Sequence, residues 1–310
     1  LPLWVPRLLP WMEFVRLRIG SFRLNLCRII RDLNLSMNSI TALLYGSDRP
    51  GIVAKVAGWI HQRGGNVLHA DQHLDRQENV FFQRIEWECS TVSDPPKEGT
   101  AFQEMAQSEL GMHVKLGYHN DRPRIGIMVS KADHCLHDLA LRVRSGEWNA
   151  ELTGVLSNHR DLQKVADSYQ LSFQYFNLTP ANKAEEEAKQ IRWIQDQKIE
   201  LLVLARYMQI LSKDFLANAD CPVINIHHSF LPSFAGAKPY HQAYTRGVKL
   251  IGATAHYVTE HLDEGPIIGQ DVTRVSHRHG PKALIEKGRD LEKLVLSTAA
   301  RRHLRNRVLV

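Results

Sequence analysis

Short, almost wholly apolar segments alternate with helical patterns through the second half of this 310-residue chain. Residues 201–205 (LLVLA) are one such segment, with no polar side chain to present to water. Strands of this kind are buried on both faces and occur in parallel sheets that helices cover on either side. The pattern therefore predicts an α/β fold with a mostly parallel sheet, whose strands are residues 125–129, 150–157, a short segment near 174, 201–205 and a strand that ends at Asn225.

The predicted helices cover these strands, and the last of them is the longest. Four helices alternate with the strands at residues 135–145, 161–170, 181–198 and 212–217, and a strand at 267–275 precedes a final helix at 281–304. Arginines near the end of that helix are compatible with a phosphate-binding stripe. We interpret them instead as a solvated helix end, where cations also suit the helix dipole. These residues are Arg301, Arg302, Arg305 and Arg307.

The first 120 residues follow a different order of elements. The segment Asp48-Arg-Pro-Gly51 places a proline where a first helical turn begins, which predicts a helix that ends at Gln62. The other predicted elements are a strand at 40–45, a strand from Asn66, a half-exposed alternating strand at 80–88, a helix at 100–110 and a strand at 114–118. The resulting order βαββαβ is typical of a ferredoxin-like domain. A polar segment at 119–123 marks the boundary, and we predict domains at 37–119 and 123–310.

The net charge of +6 is concentrated in residues 1–36. Six arginines there face only Glu13 and Asp32, which leaves +4 in this segment and +2 in the remaining residues. Because the remaining residues carry a net charge of only +2, we predict no nucleic-acid partner. The segment has no apolar core of signal-peptide length and nothing near the roughly 18 apolar residues of a membrane span. We therefore expect a disordered extension upstream of Met37, with an organelle or membrane-surface address as the alternative.

Four cysteines are scattered through the chain without forming a C-x-x-C pair. This spacing argues against a disulfide framework or a zinc ribbon and indicates a reducing compartment. We therefore predict a cytoplasmic protein that does not associate with a membrane.

One apolar run leads directly into residues that can carry chemistry. Cys221-Pro-Val-Ile-Asn225 reads as a buried strand that gives way to a loop, and alternate residues at a strand end point the same way. Asn225 and His227 are therefore expected to face one cleft, where an amide donor beside an imidazole suits a carbonyl that becomes an oxyanion. Asp263 follows His227 by 36 residues. A carboxylate beside that histidine can fix its tautomer, raise its pKa and accept a proton from an attacking water.

Each of these residues also has a purely structural interpretation. Asn225 and His227 on their own fit a satisfied loop pair, and Asp263 before Glu-Gly-Pro fits a turn. A metal site is a further alternative, but its candidate ligands have no ligand-spacing motif, and we predict no metal. Those candidate ligands are His227, His228, His256 and His261.

The order of these segments resembles the folate-dependent formyltransferase superfamily. Asn225-Ile-His-His-Ser-Phe-Leu-Pro-Ser233, Ile251-Gly-Ala-Thr-Ala-His-Tyr-Val258 and Leu262-Asp-Glu-Gly-Pro266 carry the resemblance. It implies a Rossmann-like formyltransferase domain with Asn225, His227 and Asp263 as its catalytic residues. It also implies that the folate pterin is held by Met208, Gln209, Leu211, Val258, His261 and Leu262, in a cleft shaped by Tyr240 and His256.

Three further segments, at 124–136, 205–212 and 226–241, are similar to the formyltetrahydrofolate deformylase family in particular. Related amine transformylases hold the phosphate of their amine substrate on a glycine-rich turn at a helix N-terminus. Here Ser130-Lys-Ala-Asp-His-Cys135 has no glycine and carries an acid, so water remains as the nucleophile. An amine transformylase of the glycinamide ribonucleotide type and a catalytically silent sensor stay open as alternatives.

The resemblance implies hydrolysis of 10-formyltetrahydrofolate to formate and tetrahydrofolate, which would balance one-carbon folate pools and supply formate for purine synthesis. Asp263 is expected to hold and deprotonate the water. Asn225 and His227 would stabilise the oxyanion, and His227 would protonate N10 as it leaves. Folate is the substrate, and no bound cofactor is expected.

Two loops of the first domain resemble those of ACT domains, the small-molecule sensors fused to many metabolic enzymes. The resemblance is carried by Asp48-Arg-Pro-Gly-Ile-Val53 and by Gly64-Gly-Asn-Val67. It implies an amino-acid pocket, often at a dimer interface, and hence a homo-oligomer (dimer or tetramer) with methionine as activator and glycine as inhibitor. Gly46-Ser47 departs from the Cys-Pro common in the deformylases, and a simple helix cap and turn is the alternative. The implied effector-binding residues are Asp48, Arg49, Gly51, Ile52 and Asn66.

Overall fold

Residues 39–88, 94–233 and 239–309 are described by the computed structural model, and they form two separate sheets. The expected extension at residues 1–36 lies outside the described residues. The first sheet has four antiparallel strands in the order β2-β3-β1-β4, which confirms the ferredoxin-like order. Its elements are β1 (Ser39–Ser47), α1 (Ile52–Gln62), β2 (Asn66–Asp75), β3 (Val80–Glu88), α2 (Pro95–Leu110) and β4 (His113–Tyr118).

Both helices of this domain begin at other residues than the sequence predicts. The first starts at Ile52, because Gly51 takes a left-handed backbone conformation with φ of 92° that keeps Pro50 outside the helix. The second starts at Pro95, five residues early, where the Asp94 side chain accepts a hydrogen bond of 3.2 Å from the Lys97 amide. The left-handed conformation of Gly51 and the cap formed by Asp94 therefore decide where the two helices begin.

The prediction that β3 is half exposed is wrong. Gln83 and Arg84 are both buried, although they lie on opposite faces of the strand. One face packs on the helices around Trp87 and Phe102, whose ring centroids are 4.9 Å apart. On the other face the Arg84 Nε donates a 3.0 Å hydrogen bond to the carbonyl of Asn306, so the end of the chain covers that side.

The second sheet has seven strands in the order β11-β10-β9-β8-β5-β6-β7. Strands β5 to β9 run parallel, and β10 is antiparallel to both of its neighbours, which confirms a mostly parallel sheet. The elements are β5 (Arg124–Val129), α3 (His134–Arg144), β6 (Glu151–Ser157), α4 (Gln163–Ser168), β7 (Ser172–Tyr175), α5 (Lys183–Asp196), β8 (Leu201–Leu204), α6 (Lys213–Asn218), β9 (Val223–His227), α7 (Pro239–Arg246), β10 (Leu250–Tyr257), β11 (Ile267–Arg274) and α8 (Pro281–Leu304).

Strand β9 continues two residues beyond its predicted end at Asn225. The reason is β10, a strand that the sequence pattern did not predict, which pairs its Thr254 with His227 and its His256 with Asn225. The helix α7 was also missed. Asn225 and His227 are thus held in a hydrogen-bonded strand and not in a loop.

The strand order of the sheet reverses between β5 and β8, and this reversal places a crevice beside β8. The chain runs outward from β5 through β6 to β7 and then returns to form β8 on the other side of β5. Ligands of such sheets bind beyond the carboxyl ends of the strands near this reversal. Helix α8 packs under the same region, and its predicted apolar stripe is buried as expected: Leu284, Gly288, Leu291, Val295 and Ala299.

The described helices include none that is both long and apolar enough to cross a membrane.

Candidate active site

A cleft of about 730 Å³ opens at the carboxyl ends of β8 and β9 and is closed on one side by the loop between β10 and β11. All three predicted catalytic residues line this cleft. Of the predicted folate-binding residues, His261 is the one that does not line it: its side chain is exposed, and its carbonyl accepts a hydrogen bond from Thr259. The lining includes Met208, Gln209, Leu211, Val258 and Leu262, together with the predicted Tyr240 and His256.

Asn225, His227 and Asp263 converge on one point in the cleft. Asn225 and His227 are alternate residues of β9 and share one face of the sheet. The Nδ1 of His227 lies 3.2 Å from Oδ2 of Asp263, and Oδ1 of that carboxylate lies 3.5 Å from Nε2 of His256. The Asn225 Nδ2 is 3.3 Å from the same His256 Nε2. His256 therefore lies between the amide and the carboxylate, where its Nε2 can accept from the first or donate to the second, so it does more than shape the wall.

Asp263 is held as an anion between the two imidazoles. Its backbone has a left-handed φ of 59°, and its side chain is 18% exposed. The hydrogen bond from His227 lowers the pKa of Asp263 well below its ordinary value, the bond from His256 adds to this, and both outweigh the opposing effect of burial. A carboxylate with so low a pKa aligns and charges its partner well, but it accepts a proton poorly.

His227 lines the cleft, and its second nitrogen is buried there. The ring is buried, Nδ1 is committed to Asp263, and Nε2 has no hydrogen-bond partner within the described part of the chain. Its neighbour His228 is different, because burial lowers the pKa of His228 to about 3, with the charges of Arg206 and His227 acting in the same direction. His228 is therefore neutral at physiological pH, and of these two adjacent histidines His227 is the one that contacts a carboxylate.

The segment after His227 is fixed by Thr254 of β10. Its hydroxyl donates a 2.9 Å hydrogen bond to the carbonyl of Ser229 and accepts one of 3.0 Å from the amide of Leu231. The Gln270 amide then donates 3.0 Å hydrogen bonds to this hydroxyl and to the Leu231 carbonyl. These bonds hold the backbone that follows the catalytic strand, so the position of His227 is set from both sides.

A buried network that sequence reasoning missed lines the cleft beside β8. Glu292 of α8 is 1% exposed, and it accepts a 2.6 Å hydrogen bond from the Tyr240 hydroxyl and contacts the His134 Nε2 at 2.8 Å. The Arg206 Nε lies 3.5 Å from the same carboxylate. Burial alone would raise the pKa of Glu292, but His134, Arg206 and Tyr240 together lower it. A charged residue beside the apolar stripe of α8 was the one sequence signal for this network.

Gly288 makes room for this network, because a Cβ atom at that position would overlap the Tyr240 ring. His134, Cys135 and Glu292 also place three potential metal-ligating atoms within 4.8 Å of one another. Two of these atoms are already joined by the His134–Glu292 hydrogen bond, and burial raises the pKa of the Cys135 thiol well above its ordinary value. Glu292 and the His134 Nε2 are thus joined to one another, and a thiol that keeps its proton is a poor metal ligand.

The predicted effector residues do not come together in one chain. Asp48, Arg49, Gly51 and Ile52 lie at the end of the first sheet where the Asp48 amide donates to the Asn79 carbonyl. Asn66 lies at the other end, where its side chain donates a 2.9 Å hydrogen bond to Glu88. The eight-residue rise of β3 between these ends corresponds to about 27 Å. One chain therefore does not form a single pocket from both groups.

The family model for formyl transferases matches residues 123–300 of the chain. The formyltetrahydrofolate deformylase of Synechocystis sp. is 47% identical over 277 residues, which cover 88% of this chain and 97% of that protein. The chain belongs to the formyltetrahydrofolate deformylase family. The crystal structure of a formyltetrahydrofolate deformylase from Pseudomonas syringae pv. tomato agrees, with a TM-score of 0.85 and 40% identity over 92% of this chain and 97% of that one.

The match to the formyltetrahydrofolate deformylases covers more of the chain than the match to amine transformylases. A glycinamide ribonucleotide transformylase from Symbiobacterium toebii is 26% identical, with a TM-score of 0.57 over 63% of this chain and 94% of that one. Identity, TM-score and coverage of this chain are therefore all lower for that transformylase than for the deformylase from Pseudomonas syringae.

Proposed function

We propose that this chain hydrolyses 10-formyltetrahydrofolate to formate and tetrahydrofolate, the reaction for which its relatives are named. The observation that carries the proposal is the His227 Nε2, which has no partner among the described residues while Nδ1 is held by an ionised Asp263. This is the arrangement of a base that activates a small nucleophile. Asn225 stands beside it with an amide donor for the oxyanion.

The low pKa of Asp263 changes the roles expected for Asp263 and His227 in proton transfer. Direct deprotonation of water by this carboxylate is unfavourable, so we assign the proton to the Nε2 of His227. The Asp263 carboxylate fixes the tautomer with a proton on Nδ1 and stabilises the imidazolium that forms. Water loses its proton to Nε2 as its oxygen adds to the formyl carbon, and the carbonyl oxygen becomes an oxyanion that accepts a hydrogen bond from the Asn225 amide.

Collapse of this intermediate returns the proton. The imidazolium donates it from Nε2 to N10 as the C–N10 bond breaks and the carbonyl reforms. Tetrahydrofolate and formic acid result, and the acid ionises to formate by losing its proton to solvent. His227 thus acts first as the base and then as the acid, so that no additional proton donor is required.

The cleft walls suit a flat, largely apolar ring with polar edges. Met208, Ile210 and Leu262 are each more than half exposed although they are large and apolar, and all three line the cleft. Exposed apolar side chains grouped in this way mark a binding surface. We place the pterin between residues 208–211 and the loop that carries Val258 and Leu262.

The crevice beside β8 argues against an amine as the acceptor. Tyr240, Arg206, His134 and Glu292 line it with a buried network of hydrogen bonds and charges. A phosphorylated amine entering there would meet the buried carboxylate of Glu292. Water carries no phosphate and avoids this repulsion.

The decisive experiment is release of formate from 10-formyltetrahydrofolate with water as the only acceptor. We expect formate and tetrahydrofolate in equal amounts, at a rate that added glycinamide ribonucleotide does not change. Formyl loss that depends on that amine would show a transformylase. Folate binding without turnover would show a silent sensor.

For the first domain we propose a regulatory role of the ACT type. The ferredoxin-like order and the left-handed Gly51 between β1 and α1 support it. Methionine as activator and glycine as inhibitor are the proposed effectors, and balancing folate pools for purine synthesis is the proposed purpose. The edge strand β2 is exposed along most of its length, which supports a homo-oligomer. The thiols of Cys135 and Cys221 are free, in line with a cytoplasmic location.

A further inference from the structure

A second cavity, of about 600 Å³, lies between the first sheet and the end of α8. One wall comes from the open face of the first sheet and carries Leu43, Phe82 and Arg84. The opposite wall comes from the end of the chain and is built mainly of arginines. They are Arg301, Arg302, Arg305 and Arg307, the residues interpreted from the sequence as a solvated helix end.

The five guanidinium groups of this cavity are neutralised very unequally. Arg84 is 2.8 Å from the carboxylate of Glu86, and Arg301 is 3.7 Å from that of Glu147. Arg302 donates a 2.9 Å hydrogen bond to the Ile268 carbonyl, which satisfies a donor but carries no charge. The side chains of the other two, Arg305 and Arg307, form neither an ion pair nor a hydrogen bond with any residue that the structure describes.

Acidic groups are scarce on these walls. Asp71 is the one carboxylate in the described lining, and it lies 3.6 Å from the His69 Nδ1. Three cations without a carboxylate partner therefore face the same space, and their mutual repulsion is unfavourable as long as nothing offsets it. An anion placed among them would gain interactions with all three.

We infer that this cavity binds a small polyanion, namely a molecule with two or more phosphate groups, between the two domains. Guanidinium forks bind phosphate oxygens in pairs, and several forks from different elements favour a ligand with more than one such group. The volume lies in the range of small-molecule sites. Leu43, Phe82 and Leu309 add an apolar surface for the body of the ligand.

The site has a mechanical connection to the catalytic strands. Arg302 holds β11 through Ile268, and the next residue, His303, contacts the Tyr257 hydroxyl of β10 at 2.7 Å. Tyr257 directly follows His256, whose ring contacts Asn225 and Asp263. A ligand that draws the end of α8 toward the first sheet is therefore positioned to bias the catalytic residues.

The test is calorimetric titration of the full-length protein with inorganic pyrophosphate at low ionic strength. We expect saturable binding that weakens as salt is added, because exposed ion pairs are screened. The double variant Arg305→Gln/Arg307→Gln should weaken binding at least about tenfold, since it removes two charge-assisted contacts. Arg192→Gln, an exposed arginine on α5 outside the cavity, is the matched control and should bind as the wild type does.

Citrate and orthophosphate titrations separate the sources of anionic charge. Stronger binding of pyrophosphate than of either supports the phosphate polyanion, whereas preference for citrate would overturn it in favour of a polycarboxylate. Undiminished pyrophosphate binding by the double variant would place the anion elsewhere and refute the site. A change in oligomeric mass of that variant, with pyrophosphate binding intact, would assign the arginines to a subunit contact and also refute it. These outcomes do not depend on the hydrolase assay, because binding is measured without folate.

Discussion

The two sheets arrange their candidate binding residues in opposite ways. In the seven-stranded sheet, Asn225 and Asp263 are 38 residues apart in sequence, yet both contact the same His256 nitrogen within 3.5 Å. In the four-stranded sheet, Ile52 and Asn66 are only 14 residues apart and lie at opposite ends. Parallel strands bring their carboxyl ends to one edge, whereas α1 joins β1 to β2, which run in the same direction, and so carries the chain from the carboxyl end of one strand to the amino end of the next. Separation along the chain therefore does not decide whether two residues such as Asn225 and Asp263, or Ile52 and Asn66, share a site.

The two sheets also differ in whether a single copy of the chain can form a complete site. The catalytic residues form a complete set within a single copy. The proposed effector residues require either a second copy or a smaller pocket that uses one group only.

The largest effect is expected from Asp263→Asn. The amide keeps the size of the side chain but loses the charge that fixes the His227 tautomer and stabilises its imidazolium. Turnover should fall by at least about 10²-fold, within the range that general acid–base groups contribute. Steady-state kinetics and a separate folate-binding titration measure the two properties independently.

Folate should bind to Asp263→Asn with nearly wild-type affinity. A variant that keeps more than about a tenth of the wild-type turnover would contradict the role assigned to the carboxylate. Loss of folate binding together with activity would instead indicate that Asp263 supports the shape of its loop, where its φ is 59°.

The fold was largely accessible from the sequence because its periodicities are local. Apolar runs such as residues 201–205 and the stripe of α8 identify the buried strands and the final helix without any partner. Strand β10 (LIGATAHY) was missed because its glycine and alanines carry little strand preference and its pairing with β9 is a tertiary contact. The same pairing explains why β9 extends to His227.

The candidate site was accessible only where a motif marks it. Asn225, His227 and Asp263 belong to recognisable segments, and the structure brings them together. The Glu292 network is built from residues in three helices and the loop after β8, and no local pattern connects them. The bridging position of His256 depends on the register between β9 and β10, which a sequence pattern does not specify.

The next prediction compares one glycine in each domain. Gly288→Ala places a Cβ against the Tyr240 ring, and such overpacking destabilises by about 1–3 kcal/mol, even though alanine favours helix. Gly58→Ala in α1 meets no atom within 4 Å and should stabilise by up to about 1 kcal/mol. Urea denaturation of both variants measures the difference. Equal effects of the two substitutions would show that the crevice network tolerates movement of Tyr240.

A smaller effect concerns pH and the junction of the domains. Burial lowers the pKa of His303 to about 4, with a contribution from the charge of Lys115 on β4. The unfolded chain binds this proton near pH 6.5, so the contribution to stability is complete above that pH and is lost as the pH falls toward 4. His303→Gln should reduce the loss of stability over this window by an amount on the order of 1 kcal/mol.

Tyr257→Phe is the control for the pH prediction. It removes the hydroxyl that contacts His303 but leaves the ring buried, so the dependence of stability on pH should persist. If the pH dependence disappears in Tyr257→Phe as well, the hydrogen bond and not burial determines the titration of His303. Denaturation midpoints at several pH values provide the measurement.

The smallest effect is expected at the first sheet, where a site must be assembled from separated parts. At sub-saturating folate, methionine should raise turnover of the full chain and glycine should lower it, each by about two- to fivefold, at the low end of coupling between distinct sites.

Asp48→Ala and Asn66→Ala should each abolish the response if every pocket takes Asp48 from one copy and Asn66 from another. An equal mixture of the two variants then contains mixed dimers with one intact pocket, and part of the response should return. If Asn66→Ala responds fully, the pocket uses only the loop at Asp48. If the wild type ignores both amino acids, the first domain serves assembly alone.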